Sequence, residues 1–364
     1  MHKTSARPLT LAYAALIVYA SLYPFSEWRN QGLMPWAFLA APLPKYWTGF
    51  DVAINVLGYA PLGFLLVLSV LRTRRGPIEM ALALAGAGVL SLGMEMLQGY
   101  LPTRVPSNLD LALNIAGSWA GAIAAAVLEK LGAIDRWSRF RKRWFLEDAR
   151  GGLVLLALWP LALMFPAAVP LGLGQVMERL EAALAEMLQD TPFLEWLPVR
   201  DVELQPLLPV GELMCVMLGA LVPCLLGFCI IPSKRRRAWF VLVAVTIGAL
   251  ATALSEVLSY GPPHAWNWLS APVKVGLMAA AVLAWLLVGV PRRVSAALML
   301  LCLGLYLALL NQVPSSPYFE LTLQAWEQGR FIRFNGLGQW LGWLWPYAAL
   351  VYALSRVWQP ESKT

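Results

Sequence analysis

Three carboxylates stand in strongly apolar surroundings, Asp51, Glu95 and Asp110, and each has an amide within one helical turn: Asn55, Gln98 and Asn114. On a helix, residues three or four apart project from one face about 6 Å from each other. A carboxylate so placed can serve as general acid or base. It can also carry a proton or cation, or hydrogen-bond a neighbouring helix. Arg104 is the nearest cation in sequence, and its planar fork suits a phosphate or carboxylate. These four, Asp51, Glu95, Arg104 and Asp110, are the catalytic candidates, with Asn55, Gln98, Ser107 and Asn114 lining the same polar pocket.

A plainer role competes for two of the acids. Thr48-x-x-Asp51 and Ser107-x-x-Asp110 both read as capping boxes, in which the acid serves the N-terminus of its own helix. Capping does not account for Asn55 and Asn114, one turn deeper. Nor does it account for Glu95, which falls in a C-terminal turn where the dipole opposes an anion. Three ionised acids and one arginine would leave the cluster at −2, so it must hold protons or bind a cation. A divalent cation would suit it, and no other cofactor motif is evident.

The elements that position these residues follow from composition. The chain has 364 residues, 59% of them hydrophobic and 13% charged, with a mean hydropathy of +0.62. That balance belongs to an all-α, polytopic membrane protein. Apolar windows long enough to cross about 30 Å of hydrocarbon lie near 8–25, 51–71, 78–98, 110–131, 151–170, 211–231, 239–258, 272–290, 294–313 and 338–357. With both termini in the cytoplasm, the cytoplasmic segments of this ten-span layout hold 20 of the 28 Lys and Arg, including the turn 72–75. The expected location is thus a multi-pass chain in the inner membrane. Fifteen of the 21 Asp and Glu fall on the outer side or in the outer halves of spans, so the net charge of +7 is a basic cytoplasmic skin facing anionic lipid rather than nucleic acid.

The layout divides into a four-span unit, 1–131, a basic linker, 132–150, and a six-span half, 151–364. Arg136, Arg139, Arg141, Lys142 and Arg143 alternate with Trp137, Phe140 and Trp144 in the linker, as in an interfacial helix. The outer loop 26–50 carries Trp28, Trp36 and Trp47, which suit the headgroup level. Four cysteines lie inside apolar spans, which argues against a disulfide framework, and only two histidines exist, which excludes a His-built zinc site.

Within the first unit, Asp51-Val52-Ala53-Ile54-Asn55-Val56-Leu57-Gly58 is echoed by Asp110-Leu111-Ala112-Leu113-Asn114-Ile115-Ala116-Gly117. Each glycine is expected to admit a neighbouring backbone. A degenerate third copy, Glu212-x-x-x-Val216-x-x-Gly219, opens the second half, where Glu256 and Lys274 are expected to pair. The order Asp51, Asn55, Pro61-Leu62-Gly63-Phe64, Ser91-x-x-x-Glu95-x-x-Gln98, Arg104 and Asp110-x-x-x-Asn114-x-x-Gly117 resembles the VanZ-like membrane proteins over about residues 10–130. That family takes its name from a low-level glycopeptide (teicoplanin) resistance protein. The resemblance implies a four-helix unit associated with the cell envelope, in some relatives encoded with exopolysaccharide export machinery. It implies no settled reaction, and the family's usual short form lacks the second half found here.

Three functional classes follow. The first handles a lipid or lipid-linked saccharide at the outer face, as an enzyme would. The second is a proton- or cation-coupled transporter or flippase. The third is a structural subunit that meets other envelope assembly proteins. No P-loop, Rossmann fingerprint or nucleophile elbow occurs to fix a reaction.

Overall fold

The computed structural model describes residues 6–23, 25, 27–71, 76–164, 167–196, 204–314 and 329–358, and the basic turn 72–75 lies outside them. Every regular element among the described residues is helical. Seven helices are long and apolar enough to cross a membrane. Helices suit that solvent because they satisfy their backbone hydrogen bonds internally. The chain divides into two compact units, Met1–Phe140 and Arg141–Thr364.

The first unit contains α1 (Ala6–Leu22), α2 (Gly49–Leu71), α3 (Pro77–Gln98) and α4 (Asn108–Lys130). Helix α5 (Ala133–Trp144) runs across the division, buries no residue, and stacks Trp137 on Phe140 with centroids 5.6 Å apart. Packing of α2 against α4 is backbone on backbone. A β-carbon on Gly63 would overlap the Ser118 carbonyl, one on Gly117 the Val56 carbonyl, and one on Gly121 the Ala60 carbonyl. Small residues at such a crossing let helices approach where no hydrophobic drive separates protein from lipid. The expected role of the repeat glycines therefore holds for Gly117 but not for Gly58, which has nothing within 4 Å of a built β-carbon. Gly63 takes that place on α2.

The second unit contains α6 (Arg150–Ala162), α7 (Met177–Leu188), α8 (Pro209–Ile230), α9 (Lys234–Tyr260), α10 (Ala271–Leu286), α11 (Arg292–Leu310) and α12 (Gly329–Trp358). Helix α8 is its axis, with 83% of its span buried against at most 39% for any other candidate span. Arg237 is buried on α9 and donates to the carbonyls of Phe228, Ile231, Val288 and Val290 at 2.6–3.2 Å. A guanidinium with that many acceptors closes the ends of two helices.

The window 151–170 is corrected. Helix α6 stops at Ala162, and Val169, Leu171 and Leu173 are buried in irregular backbone. The sequence supplies the reason, since Pro170, Gly172 and Gly174 in close succession disfavour a helix. Side chains satisfy the exposed backbone instead. Tyr306 Oη donates to the Leu171 carbonyl at 2.7 Å and accepts from the Leu173 amide. Asn311 Oδ1 accepts from the amides of Val176 and Met177, and Tyr347 Oη donates to the Gly174 carbonyl. The window 8–25 is likewise shortened, with α1 ending at Leu22.

Candidate functional site

The capping box at α2 closes on itself, and the one at α4 does not. At α2, Thr48 and Asp51 cap each other: Asp51 Oδ2 accepts from the Thr48 amide at 2.8 Å and from its hydroxyl at 2.7 Å. The Asp51 amide donates back to Thr48 Oγ1 at 3.3 Å. At α4, Ser107 Oγ accepts from the Asp110 amide at 3.2 Å, but the reciprocal bond is taken over by another helix. Glu95 Oε2, from the end of α3, accepts from the Ser107 amide at 2.8 Å. Glu95 is only 3% exposed, and this bond explains how an acid is held at a helix C-terminus.

With Glu95 on Ser107, the Asp110 carboxylate is engaged by α2. Asn55 Nδ2 donates to Asp110 Oδ1 at 3.0 Å and to its own helix at the Asp51 carbonyl, also 3.0 Å. Asp51, Asn55, Glu95, Ser107 and Asp110 thus form one hydrogen-bonded layer at the end of the unit where α2 and α4 begin. Gln98 and Arg104 point to α1. Gln98 Nε2 donates to the Ser21 carbonyl at 3.0 Å, and Arg104 donates to the carbonyls of Ala20 and Tyr23 at 3.3 and 3.0 Å. These are carbonyls at the end of α1, where a cation complements the dipole. Arg104 remains within electrostatic reach of Glu95.

A second polar layer lies one turn deeper, and only part of it was marked by the sequence. Asn114 follows Asp110 by four residues, Ser91 precedes Glu95 by four, and Tyr59 follows Asn55 by four. All three are buried, at 4%, 0% and 6% exposure. Asn114 Nδ2 donates to Ser91 Oγ at 3.0 Å, and Ser118 Oγ donates to the Asn114 carbonyl at 3.0 Å. Asn114 Oδ1 finds no hydrogen-bond partner among the described residues, and the Tyr59 hydroxyl, beside that of Ser91, makes no bond of good geometry. An unmet buried polar atom costs about 1–3 kcal/mol. The four-residue spacing from Asn55 was the signal that could have found Tyr59.

The loop preceding α2 covers this end of the unit. Arg29 donates its amide to the Tyr100 carbonyl at 3.0 Å, Gln31 Nε2 donates to the Gly99 carbonyl at 2.9 Å, and Asn108 Nδ2 donates to the Ala41 carbonyl at 2.6 Å. Phe38 of this loop is buried, whereas Trp28, Trp36, Tyr46 and Trp47 are exposed.

Among the described residues, no three His, Cys, Asp or Glu side chains gather as a metal site would require. The acids are spaced by amide and hydroxyl donors instead. In the second unit, Glu212 Oε1 accepts from Ser270 Oγ at 3.1 Å, and Ser270 caps α10. The expected Glu256–Lys274 pair does not form: Lys274 is exposed, and Glu256 senses His264. A lysine near a helix start reaches water more cheaply than it can be buried.

Residues 4–129, about a third of the chain, match the VanZ/LLP1 family model. The match spans α1 to α4. No curated protein and no solved structure matches the chain.

Proposed function

We propose that the VanZ-like segment binds a lipid or lipid-linked saccharide, such as an exopolysaccharide or peptidoglycan precursor, at the outer face of the inner membrane. One observation carries the reading: Glu95 of α3 accepts from the Ser107 amide at the start of α4, and Asn55 of α2 donates to the Asp110 carboxylate. A cap alone would need neither residue. Carboxylates and amides together suit saccharide hydroxyls, and Arg104 supplies a donor for a phosphate. The exposed tryptophans of the covering loop suit the headgroup region, and exposed Leu57 and Ile123 offer flanks to acyl chains. In this reading both termini are cytoplasmic, and reporter fusions after Arg150 and Arg237 should both report cytoplasm.

The test is mass spectrometry of lipid co-purifying with the full-length protein. Glu95→Gln and Arg104→Ala should each lose the lipid, whereas Glu256→Gln should retain it. Conversion of that lipid on incubation would make the protein an enzyme, and its movement unchanged between leaflets of a vesicle would make it a flippase. A second reading has an observation of its own, since Glu95 also holds the start of α4. If every variant keeps the same lipids and the same envelope phenotype, the layer only knits helices.

A further inference from the structure

Below the acidic layer, the three helices contribute a second set of polar groups in register with the first: Tyr59 beneath Asn55, Ser91 beneath Glu95, and Asn114 beneath Asp110. The set is nearly closed to the surface, at 6%, 0% and 4% exposure. Its hydrogen bonding is incomplete. Asn114 gives one amide hydrogen to Ser91 Oγ while its Oδ1 has no partner among the described residues, and the Tyr59 hydroxyl, beside that of Ser91, makes no bond of good geometry. Exchanging the oxygen and nitrogen of the Asn114 amide would let Oδ1 accept from Ser91, but it would leave the NH₂ group unmet instead. The demand for another polar group survives either assignment.

We propose that Tyr59, Ser91 and Asn114 hold a buried water molecule, so that the acidic layer is the mouth of a hydrated path one helical turn deeper into the bundle. The site has the composition a buried water requires. It offers an acceptor in Asn114 Oδ1 and two hydroxyls that both donate and accept, and a buried water takes two to four such partners. Apolar neighbours bound it: Ala87 lies one turn further along α3 and is 2% exposed, and Leu62 on α2 is also 2% exposed. The path therefore ends at this layer on α2 and α3, and on α4 the next polar group, the Ser118 hydroxyl, is spent on the Asn114 carbonyl. The inference does not depend on what the outer layer binds.

Single cysteines at Ser91, Asn114, Asn55 and Ala87 test it in the full-length protein in nanodiscs, using a small charged methanethiosulfonate and the parent protein as background. The parent's four cysteines are buried in the second unit. Only a thiolate reacts, and a thiol in dry apolar surroundings does not ionise. Ser91→Cys and Asn114→Cys should react at least about tenfold faster than Ala87→Cys, the thiolate ratio that one pKa unit gives. Reaction at Asn55→Cys with silence at Ser91 and Asn114 would overturn the hydrated floor while leaving the outer site open. Silence at all four positions would overturn both. Equal reaction at Ala87→Cys would show general breathing and would also defeat the proposal. Only variants that elute as monodisperse protein count, and Ser91→Cys, the smallest change, decides if Asn114→Cys does not fold.

Discussion

One turn below the acid that opens α4 stands Asn114, bonded to Ser91; one turn below the acid that opens α8 stands Val216, fully buried against Gly276 of α10. Other parts of the pattern work alike in both units. Gly117 receives the Val56 backbone, and a β-carbon on Gly219 would stand only 3.1 Å from the Leu171 carbonyl. An acid from a neighbouring helix sits on an N-cap serine in both, Glu95 on Ser107 and Glu212 on Ser270. A β-carbon on Gly276 of α10 would overlap the Leu213 carbonyl of α8, so close helix crossing and shared capping need no internal amide. What the first unit adds is Asn55 on Asp110, with Tyr59, Ser91 and Asn114 beneath. The second unit shows that such a bundle packs without them, so packing is a weak reason for their presence.

The glycine device gives the strongest way to break that comparison. In Gly121→Ala the new methyl would collide with the Ala60 carbonyl, which is backbone and cannot step aside. The first unit should lose about 3 kcal/mol or more, at the upper end for overpacking. Gly58→Ala meets nothing within 4 Å and should be neutral or stabilising by about 0.5–1 kcal/mol, since alanine favours the helix. Thermal unfolding of the two purified variants decides. Equal melting points would mean that α2 and α4 do not touch through their backbones.

A second contrast sets Arg237 beside Arg104. Arg237 is 4% exposed and satisfies four carbonyls of the second unit, whereas Arg104 is half-buried and serves two at the end of α1. Arg237→Leu leaves several buried carbonyls unmet and should destabilise the protein by about 3 kcal/mol. Arg104→Ala should cost about 1 kcal/mol, within the range for hydrogen bonds at a partly exposed site. Chemical denaturation followed by tryptophan fluorescence measures both. A larger loss for Arg104→Ala would make it the structural arginine.

How far the sequence carried can be judged residue by residue. Apolar windows placed the seven long helices, because twenty-odd apolar residues have few alternatives to a span. They missed the end of α6 at Ala162, since hydropathy does not register Pro170, Gly172 and Gly174 as helix breakers. The capping boxes were legible at Thr48 and Ser107, being local. That Glu95 rather than Asp110 holds the Ser107 amide was not, because it depends on α3 meeting α4. Arg104 was expected among the acids, but its donors reach the end of α1. Tyr59 was passed over because a tyrosine in an apolar run reads as core. Its spacing from Asn55 gains meaning only with Ser91 and Asn114 beside it.

The finest division is between the two aspartates of the repeat, and Asp51→Asn set against Asp110→Asn sharpens it with the smallest structural change. Asparagine keeps an oxygen that can accept from the Thr48 amide or from Asn55, so shape and most hydrogen bonds survive in both variants. Each loses a negative charge in the first turn of its helix, an effect of about 0.3–1 kcal/mol. Melting points should therefore fall slightly and by similar amounts. Lipid retention should separate them. Asp51 is occupied with Thr48 at the edge of α2, whereas Asp110 faces Asn55 beside the Glu95–Ser107 contact. Asp51→Asn should keep the co-purifying lipid near the parent level, and Asp110→Asn should lose most of it. Equal losses would mean that the outer layer acts as one charged surface, and that the exchange of capping partners at α4 has no bearing on binding.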